Sequence, residues 1–292
     1  MTKTLLSIGH GFSARALAAR LIQKGWRVIG TTRSAEKAEE IAATGVEPVI
    51  WPGTELNAAL EQADALLVSA GPGPEGDPTL AVMRAEIEAA ASRLDWAGYL
   101  STTGVYGDHQ GGWVDESSPL TPSTARGLAR VEAEAAWQAI PGLKLHIFRL
   151  AGIYGPGRGP FAKVRKGTAR RIIKKGQVFS RIHVDDIAQV LEASLAQPNP
   201  GAIYNLCDDD PAPPQDVIAH AAELLGLPLP PAVDFETADM TSMARSFYAE
   251  SKKVRNDRIK HELGVTLLYP DYRAGLAALL HAESQNQPAE KA

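Results

Sequence analysis

Two glycines near the start of the chain have the spacing of a phosphate-binding turn. Gly9, Gly11 and Ala14 form the pattern G-x-G-x-x-A directly after the apolar run TLLSI. Glycine permits a tight turn and a close approach of backbone to pyrophosphate, and a helix starting here offers free N–H groups. The pattern predicts a dinucleotide site that also includes Phe12. A purely structural turn is the alternative interpretation.

The end of the next apolar run, VIGTTRSAE, bears on which dinucleotide is bound. NAD sites usually place an acidic residue here to accept hydrogen bonds from the ribose hydroxyls. This chain has Thr32 and Arg33 instead, and the fork of an arginine can pair with a 2′-phosphate. We therefore expect NADP(H) to be favoured over NAD(H). The alternative is an exposed Arg33 paired with Glu36 and Glu39 of the following helix.

Small residues occupy a third place where a dinucleotide could lie. Ser69, Ala70 and Gly71 follow a continuously apolar run. Their size would leave room for the adenosine and ribose, so we assign them to the predicted cofactor site.

These residues need a framework that gathers strand ends at one edge. Short apolar runs alternate with helical patterns in the first half of the chain, which is typical of a parallel sheet covered on both faces. The predicted strands are 4–9, 27–32, 47–51, 63–70, 96–102 and 143–150, and the predicted helices are 13–24, 34–43, 54–62, 79–94 and 125–139. Ser34 and Thr54 are the expected N-caps of two of these helices. The predicted fold class is α/β, a doubly wound parallel sheet of Rossmann type with a smaller C-terminal substrate lobe.

The pattern becomes irregular after residue 150. The predictions here are a strand at 179–184, a helix at 185–196, a strand at 201–208, a helix at 213–226 and a surface loop at 225–240. We predict an NAD(P)-binding domain over 1–150, continued by 179–208, a substrate lobe from 151–178 and 209–280, and a flexible tail at 281–292.

Composition excludes several classes of protein. The net charge of −4 argues against a general nucleic-acid binder. A single cysteine, Cys207, permits no internal disulfide, so we expect a cytoplasmic protein with this residue buried as a small apolar side chain. No apolar run approaches the roughly 20 residues needed to span a bilayer, so no membrane association is expected.

Several stretches resemble one enzyme family. They are YLSTTGVYGDHQGGWVDESSPLTP, RLAGIYGPGR, SRIHVDDIAQ, GAIYNLCDD and SKKVRNDRIKHELGV. In this order they are similar to the motifs of the extended short-chain dehydrogenase/reductases, the NAD-dependent epimerase/dehydratase superfamily. The resemblance spans nearly the whole chain. It implies an NAD(P)-binding Rossmann fold, hydride-transfer chemistry and, as is common in that family, a possible homodimer.

The resemblance assigns a catalytic role to a hydroxyl group. The family keeps a serine or threonine three residues before Val-Tyr-Gly, where it donates to the reacting oxygen. The matching residue is Thr102, with Ser101 as a further catalytic candidate and Thr103 as a substrate contact. The alternative is a threonine that only satisfies backbone groups at a strand end.

The family's tyrosine and lysine, four residues apart, are both missing. Their places hold Arg126 and Arg130. Arginine is effectively never deprotonated in a protein, so it cannot relay a proton, but it can bind a carboxylate, a phosphate or a developing oxyanion. A solvated helix face is the alternative, with Arg130 paired to Glu134 and the apolar stripe Leu128–Val131–Ala135–Ala139 opposite. Tyr106, Tyr154 and His183 are the candidate replacements for the tyrosine.

A basic segment follows. Residues 151–184 contain nine Lys or Arg and no Asp or Glu. Such segregation can attract an anion, so Arg158, Arg181 and His183 are the predicted substrate contacts, a solvated mobile loop being the alternative. His183, Asp185 and Asp186 are not expected to bind a metal, because the two aspartates more simply start a helix as a cap and a first-turn charge.

Two functions stay open on this evidence. The first is an atypical NAD(P)-dependent oxidoreductase or epimerase-like enzyme that acts on a small anionic substrate, with a sugar nucleotide or a sugar acid as examples. The second is a non-catalytic NADP(H)-binding redox sensor or scaffold, which the missing tyrosine favours.

Overall fold

The computed structural model describes residues 2–286 of the chain. The strands are β1 Thr4–Ile8, β2 Arg27–Thr32, β3 Glu47–Ile50, β4 Ala65–Val68, β5 Trp96–Thr102, β6 Trp113–Val114, β7 Leu145–Leu150, β8 Gly152–Tyr154, β9 Arg171–Ile173, β10 Arg181–His183, β11 Ile203–Leu206, β12 Ala232–Asp234 and β13 Lys253–Val254. The helices are α1 Phe12–Gln23, α2 Ala35–Ala42, α3 Asn57–Glu61, α4 Leu80–Ala90, α5 Ala125–Gln138, α6 Phe161–Arg165, α7 Val184–Ala196, α8 Pro214–Leu224, α9 Ser242–Phe247, α10 Asp257–Leu263 and α11 Tyr272–Asn286.

A seven-stranded sheet in the order β11-β7-β5-β4-β1-β2-β3 forms the centre of the protein. All of its strand pairs are parallel. The chain builds outward from β1 to β3 in one direction and then from β4 to β11 in the other. The connections that leave the carboxyl ends of β1 and β4 therefore run in opposite directions. The gap between them is the switch point where open α/β sheets bind ligands. The predicted doubly wound fold is confirmed.

Apart from the edge strand β3, which is largely exposed, the sheet is buried on both faces, and its strands are apolar at successive positions. One apolar cluster contains Leu5, Leu17 and Phe148. A second cluster, on the opposite face, contains Leu6, Ile87 and Trp137. Leu5 and Leu6 are neighbours in β1, and successive side chains of a strand point to opposite faces. This explains why continuous apolar runs predicted the strands of this sheet.

The N-cap residues predicted for the helices were only partly correct. Ser34 caps α2, and its hydroxyl accepts a hydrogen bond from the Lys37 N–H. The prediction for Thr54 was wrong, because α3 begins at Asn57 and has Leu56 at the cap position. The cap of α7 is His183 rather than an aspartate.

A smaller lobe packs beside the carboxyl edge of the sheet. Its apolar cluster is drawn from residues between 154 and 169 and between 212 and 279, including Phe161, Ala221 and Leu276. Short parallel pairs join separate segments, namely β8 with β10, β9 with β12, and β6 with β13. β12 lies inside the stretch that was expected to be only a surface loop.

The C-terminal helix α11 continues to Asn286, past the point where the predicted tail begins. The rest of the predicted tail, 287–292, lies outside the described residues. Within 2–286, no helix is both long and apolar enough to cross a membrane.

Candidate functional site

A cleft of about 980 Å³ lies between the carboxyl edge of the sheet and the smaller lobe. One end is formed by Gly9, Gly11 and Phe12, which follow β1. The other end is formed by lobe residues that include Arg181 and Tyr248. The site is therefore built at the switch point that the strand order creates.

The glycine turn has the geometry that a dinucleotide requires. Gly9 has a φ of +77°, and a Cβ there would lie 2.7 Å from the Ala70 nitrogen, so only glycine fits. At Gly11 the nearest atom to a Cβ would be 3.7 Å away, so the protein itself leaves this side of the turn open. Gly11 caps the twelve-residue helix α1 without a side-chain hydrogen bond. The helix N-terminus thus faces the cleft with free donors, as pyrophosphate binding needs.

The other predicted cofactor residues surround this turn at different distances from the cleft. Ala14 and Ser69 lie in the cleft wall, whereas Ala70 packs behind it against Gly9. Gly71 is exposed and does not line the cleft, and a Cβ there would be 2.7 Å from Nη2 of Arg130. A larger residue at position 71 would displace that guanidinium.

Thr32 and Arg33 lie outside the cleft wall, at the carboxyl end of β2 beside β1. Thr32 is buried and Arg33 is exposed. The expected alternative pairing of Arg33 with Glu36 or Glu39 is not seen: within the described chain, Arg33 has no carboxylate within 4 Å. Its guanidinium is therefore available to a group at the edge of the turn.

Arg158 lies at the cofactor end of the cleft rather than deep in the substrate lobe. Its guanidinium carbon is 5.6 Å from the centre of the Phe12 ring. Phe12 is the first residue of α1. The placement favours a contact with a bound dinucleotide over the predicted contact with substrate.

The hydroxyl groups at the end of β5 differ in their hydrogen-bond partners. Oγ1 of Thr102 accepts a hydrogen bond from the Gly104 N–H at 3.1 Å, which leaves its own proton free to donate into the cleft. Thr103 lines the same wall. Ser101 also reaches the cleft, but its hydroxyl donates to Glu134 at 2.5 Å. Thr102 is therefore the better placed donor of the three.

A buried ion pair connects this strand end to the helix that follows it. Arg149 donates to both carboxylate oxygens of Glu134, at 3.2 and 2.7 Å, and the two side chains are 3% and 2% exposed. Arg149 also donates to the Tyr106 hydroxyl, which donates in turn to Asn205. Ser101, Arg149 and Asn205 stand side by side on β5, β7 and β11. One row across the sheet thus anchors α5.

The anchored helix buries a different face from the one that the alternative interpretation expected. Leu128, expected in an apolar stripe, is 51% exposed. Ala133, Glu134 and Trp137 face the sheet instead. The expected pair of Arg130 with Glu134 is also wrong, because Glu134 belongs to Arg149.

Arg130, in the place of the family's lysine, is fixed against β5. Its Nη1 donates to the Leu100 carbonyl at 2.8 Å and to the Tyr99 hydroxyl at 3.0 Å. It lies in the cleft wall and is half-buried. The positive charge is held at the carboxyl end of β5, against Tyr99, Leu100 and Gly71.

Arg126, in the place of the tyrosine, reaches across the mouth of the cleft to the lobe. Nη2 donates to the Ser246 hydroxyl at 3.0 Å, and the guanidinium lies 4.7 Å from the centre of the Phe247 ring. Both partners belong to α9, and α9 has no buried residue. Arg126 is therefore one of the contacts that hold this short helix over the cleft.

None of the three candidate replacements takes the place of the tyrosine. Tyr106 is fully buried in the Arg149 network, and burial raises the pKa of its hydroxyl to about 12. Tyr154 points its hydroxyl at the Asp271 carbonyl at 3.5 Å, and burial raises its pKa as well. His183 lies behind the cleft wall, where its Nδ1 accepts from the Asp185 N–H, so it is not a substrate contact. Burial lowers the pKa of this imidazole and keeps it neutral.

The basic segment is used mainly for structure. Arg165 pairs with Glu283, Arg170 donates to the Asp239 carbonyl, and Arg171 donates to the Pro230 carbonyl. Of the nine basic residues, Arg158 and Arg181 lie in the cleft wall. Of the predicted substrate contacts in this segment, Arg158 and Arg181 thus reach the cleft, and His183 does not line it.

The cleft wall is nevertheless positive. Among the described residues its charged side chains are Arg126, Arg130, Arg158, Arg181, Lys252 and one carboxylate, Glu250. Glu250 pairs with Lys252 at 2.9 Å. Lys252 and Tyr248 were not singled out as site residues from sequence: Tyr248 precedes the family-like stretch SKKVRNDRIKHELGV, and Lys252 lies inside it without an assigned role. The described chain contains no group of three or more His, Cys, Asp or Glu side chains arranged to hold a metal.

Together, the parallel sheet, the open glycine turn and the hydroxyl at the end of β5 define a Rossmann-type NAD(P)-binding protein. The model of the "NAD dependent epimerase/dehydratase family" matches residues 8–207, and the chain belongs to that family. The resemblance noted from the sequence motifs is confirmed.

Three relatives match nearly the whole chain. Protein YeeZ of Escherichia coli K12 is 31% identical over 283 residues, covering 92% of this chain and 97% of that protein. The 3-diazoavenalumate denitrifying reductase of a Streptomyces species is 26% identical and covers 94% of this chain and 99% of its own. A conserved protein of unknown function from Silicibacter pomeroyi DSS has a solved structure that matches with a TM-score of 0.94 and 64% identity, covering 96% of this chain and 99% of that one.

The buried ion pair predicts a large loss of stability when one partner is removed. Glu134→Ala leaves the Arg149 charge buried without a carboxylate, which should cost about 3–5 kcal/mol of the free energy of unfolding. Glu132→Ala, at an exposed position of the same helix, should change it by less than about 0.5 kcal/mol. Denaturant unfolding of both variants measures the difference. Equal effects would show that the pair does not anchor α5.

The Arg126 contacts predict a looser α9 when they are lost. In Arg126→Ala, the amides of Ser242–Phe247 should exchange with deuterium roughly two- to fivefold faster, because an exposed cation–π contact contributes about 0.5–1 kcal/mol. Arg84→Ala, which removes a surface ion pair on α4, is the control and should leave these amides unchanged. Unchanged exchange in Arg126→Ala would mean that other contacts hold α9.

Proposed function

We propose that the protein is an NADP(H)-dependent oxidoreductase that acts on a small anionic substrate without a tyrosine proton relay. One observation carries this proposal: a single cleft joins the open glycine turn to Thr102 and continues to Arg181. A cofactor half and a positively charged substrate half thus share one wall.

The residues of the glycine end suit NADP(H). The turn at Gly9 and Gly11, with the N-terminus of α1, would hold the pyrophosphate, and Arg158 would add a positive charge beside it. Arg33 has no carboxylate partner in the described chain and would bind the 2′-phosphate. No acidic residue stands at the tip of β2, which disfavours NAD(H).

The residues around Thr102 suit a reduction or oxidation in which the protein stabilises charge. A bound nicotinamide supplies or accepts the hydride. Thr102 would donate a hydrogen bond to the reacting oxygen, and Arg130 would hold positive charge next to it. Neither arginine can take a proton and return it, so an epimerisation of ordinary mechanism is disfavoured. Protons would exchange with the water of the open cleft.

A redox sensor is the second candidate, and Arg126 is the observation that favours it. The residue in the tyrosine place contacts α9, so a change at the cofactor could alter the surface that α9 presents. A sensor needs different affinities for NADPH and NADP⁺, since a ligand shifts an equilibrium only through differential binding. Isothermal titration with both forms, combined with a turnover screen, separates the two functions. Equal affinities and no turnover with any carbonyl or quinone acceptor would contradict both.

The position of Arg33 predicts cofactor preference. Arg33→Ala should weaken NADPH binding roughly tenfold, because one charge-assisted hydrogen bond to phosphate is lost, and should leave NADH binding nearly unchanged. Fluorescence titration of both nucleotides measures this, with Arg84→Ala as the surface-arginine control. If NADH binds the unmodified protein more tightly than NADPH, the assignment fails.

The free hydroxyl of Thr102 predicts a loss of turnover without a loss of cofactor. Thr102→Val should lower kcat about 10²–10³-fold, the usual effect of removing one donor to a developing oxyanion, whereas NADPH affinity should hold. Thr102→Ser keeps the hydroxyl and should retain most of the activity. The assay is the loss of NADPH absorbance with whichever acceptor the screen finds. Full activity in Thr102→Val would contradict the role.

A further inference from the structure

We propose that the lobe half of the cleft recognises an aromatic carboxylate, with Arg181 binding the carboxylate and Phe179, Phe247 and Tyr248 holding the aryl body. This inference rests on the proposed function, because it specifies which small anion the substrate end takes.

Arg181 is an oriented cation that lacks a carboxylate partner. It is half-buried in the cleft wall, and its Nη1 donates to the carbonyls of Phe179 at 2.8 Å and Ala212 at 3.0 Å. These two bonds fix the plane of the guanidinium. Among the described residues no carboxylate lies within 4 Å of it, and its other donors make no hydrogen bond. A ligand carboxylate would satisfy the fork in the geometry that arginine favours.

The carboxyl group beside Arg181 does not neutralise it. Asp208 is 1% exposed, its backbone N–H donates to the Arg181 carbonyl, and its two carboxyl oxygens make no hydrogen bond. Burial raises the pKa of this carboxyl to about 8, against the opposing effect of the Arg181 charge, and so favours its neutral form. The charge of Arg181 therefore acts on whatever enters the cleft.

The wall around Arg181 is aromatic. The Phe179 and Tyr248 rings meet edge to face, with centroids 5.5 Å apart. Tyr248 also contacts Phe235, with centroids 5.3 Å apart, which holds the tyrosine ring in position. Phe247 is 55% exposed at the rim, under the Arg126 guanidinium. Val217 and Leu276 complete the apolar surface of this end. Such a wall offers ring contacts to a flat apolar body.

Several polar side chains of the same wall are already engaged by protein groups and do not favour a sugar nucleotide. Sugar hydroxyls need free polar side chains, since a buried hydroxyl without a partner is costly. Glu250 and Lys252 pair with each other, and Ser246 already accepts a hydrogen bond from Arg126. At the lobe end of the cleft, a guanidinium without a carboxylate partner lies among aromatic rings, which matches a ligand with one carboxylate and one aryl group.

Calorimetry on the NADP⁺-loaded protein tests the ligand class without requiring turnover. The probes are 3-phenylpropanoate, its uncharged amide, 3-cyclohexylpropanoate and UDP-glucuronate. We expect 3-phenylpropanoate to bind at least about tenfold more tightly than the amide, which lacks the charge, and than the cyclohexyl acid, which lacks the aromatic ring. UDP-glucuronate should bind no better than the amide. Comparable binding of all four, or tighter binding of UDP-glucuronate, would overturn the inference.

Paired variants test which residues bind the carboxylate and which bind the aryl group. Arg181→Gln should abolish the preference for the acid over the amide, whereas Arg171→Gln, which loses a contact to the Pro230 carbonyl outside the cleft wall, should preserve it. Tyr248→Leu should remove the preference for phenyl over cyclohexyl, and Tyr248→Phe should keep it. The Tyr248 pair keeps the inference testable if Arg181→Gln does not fold.

Cofactor binding, measured in the same samples, distinguishes a failure of this inference from a failure of the proposed function. If NADP⁺ binds and 3-phenylpropanoate does not, the inference is wrong and the cofactor part of the proposed function stands. If neither binds to folded protein, both are wrong.

Discussion

The buried pair of Glu134 and Arg149 is the interaction on which the site depends. Arg149 stands in the middle of a row that crosses β5, β7 and β11, and Glu134 reaches down to it from α5. Two charges this deep are tolerated because they pair with each other and also bind neighbouring hydroxyls, with Glu134 accepting from Ser101 and Arg149 donating to Tyr106. The pair fixes the distance of α5 from the sheet and the rotation of the helix about its own axis. The directions in which the Arg126 and Arg130 side chains leave α5 therefore depend on this pair.

This anchoring explains how the cleft can survive the loss of tyrosine and lysine. Neither residue is needed to hold α5, since that task falls to Glu134 one turn further along. The two family positions are thus free to carry other side chains. The chain uses one arginine against β5, beside the cofactor end, and the other as a contact to α9. Both arginines add positive charge to the cleft wall.

The sequence predicted the framework better than the site, and the reason is physical. Continuous apolar runs such as the one containing Leu5 and Leu6 arise directly from burial on both faces of a strand, so the strand ends and Gly9 were located correctly. The alternative orientation of α5, with the stripe containing Leu128 facing the core, was wrong, because the buried face of this helix carries the charged Glu134. The partner of Glu134 lies 15 residues away on another strand, and no local pattern reveals it. His183 was similarly misread, since its role as a cap depends on where α7 begins.

A crystal structure of the protein with NADPH tests the central claim most directly, that one cleft carries a hydride-transfer site in which arginines replace the proton relay. The account predicts the pyrophosphate on the turn of Gly9 and Gly11, the 2′-phosphate at Arg33, and the nicotinamide beside Thr102 with its reactive face toward Arg181. A nicotinamide turned away from Thr102, or a space beside Thr102 filled by Arg126 so that no substrate could enter, would contradict it.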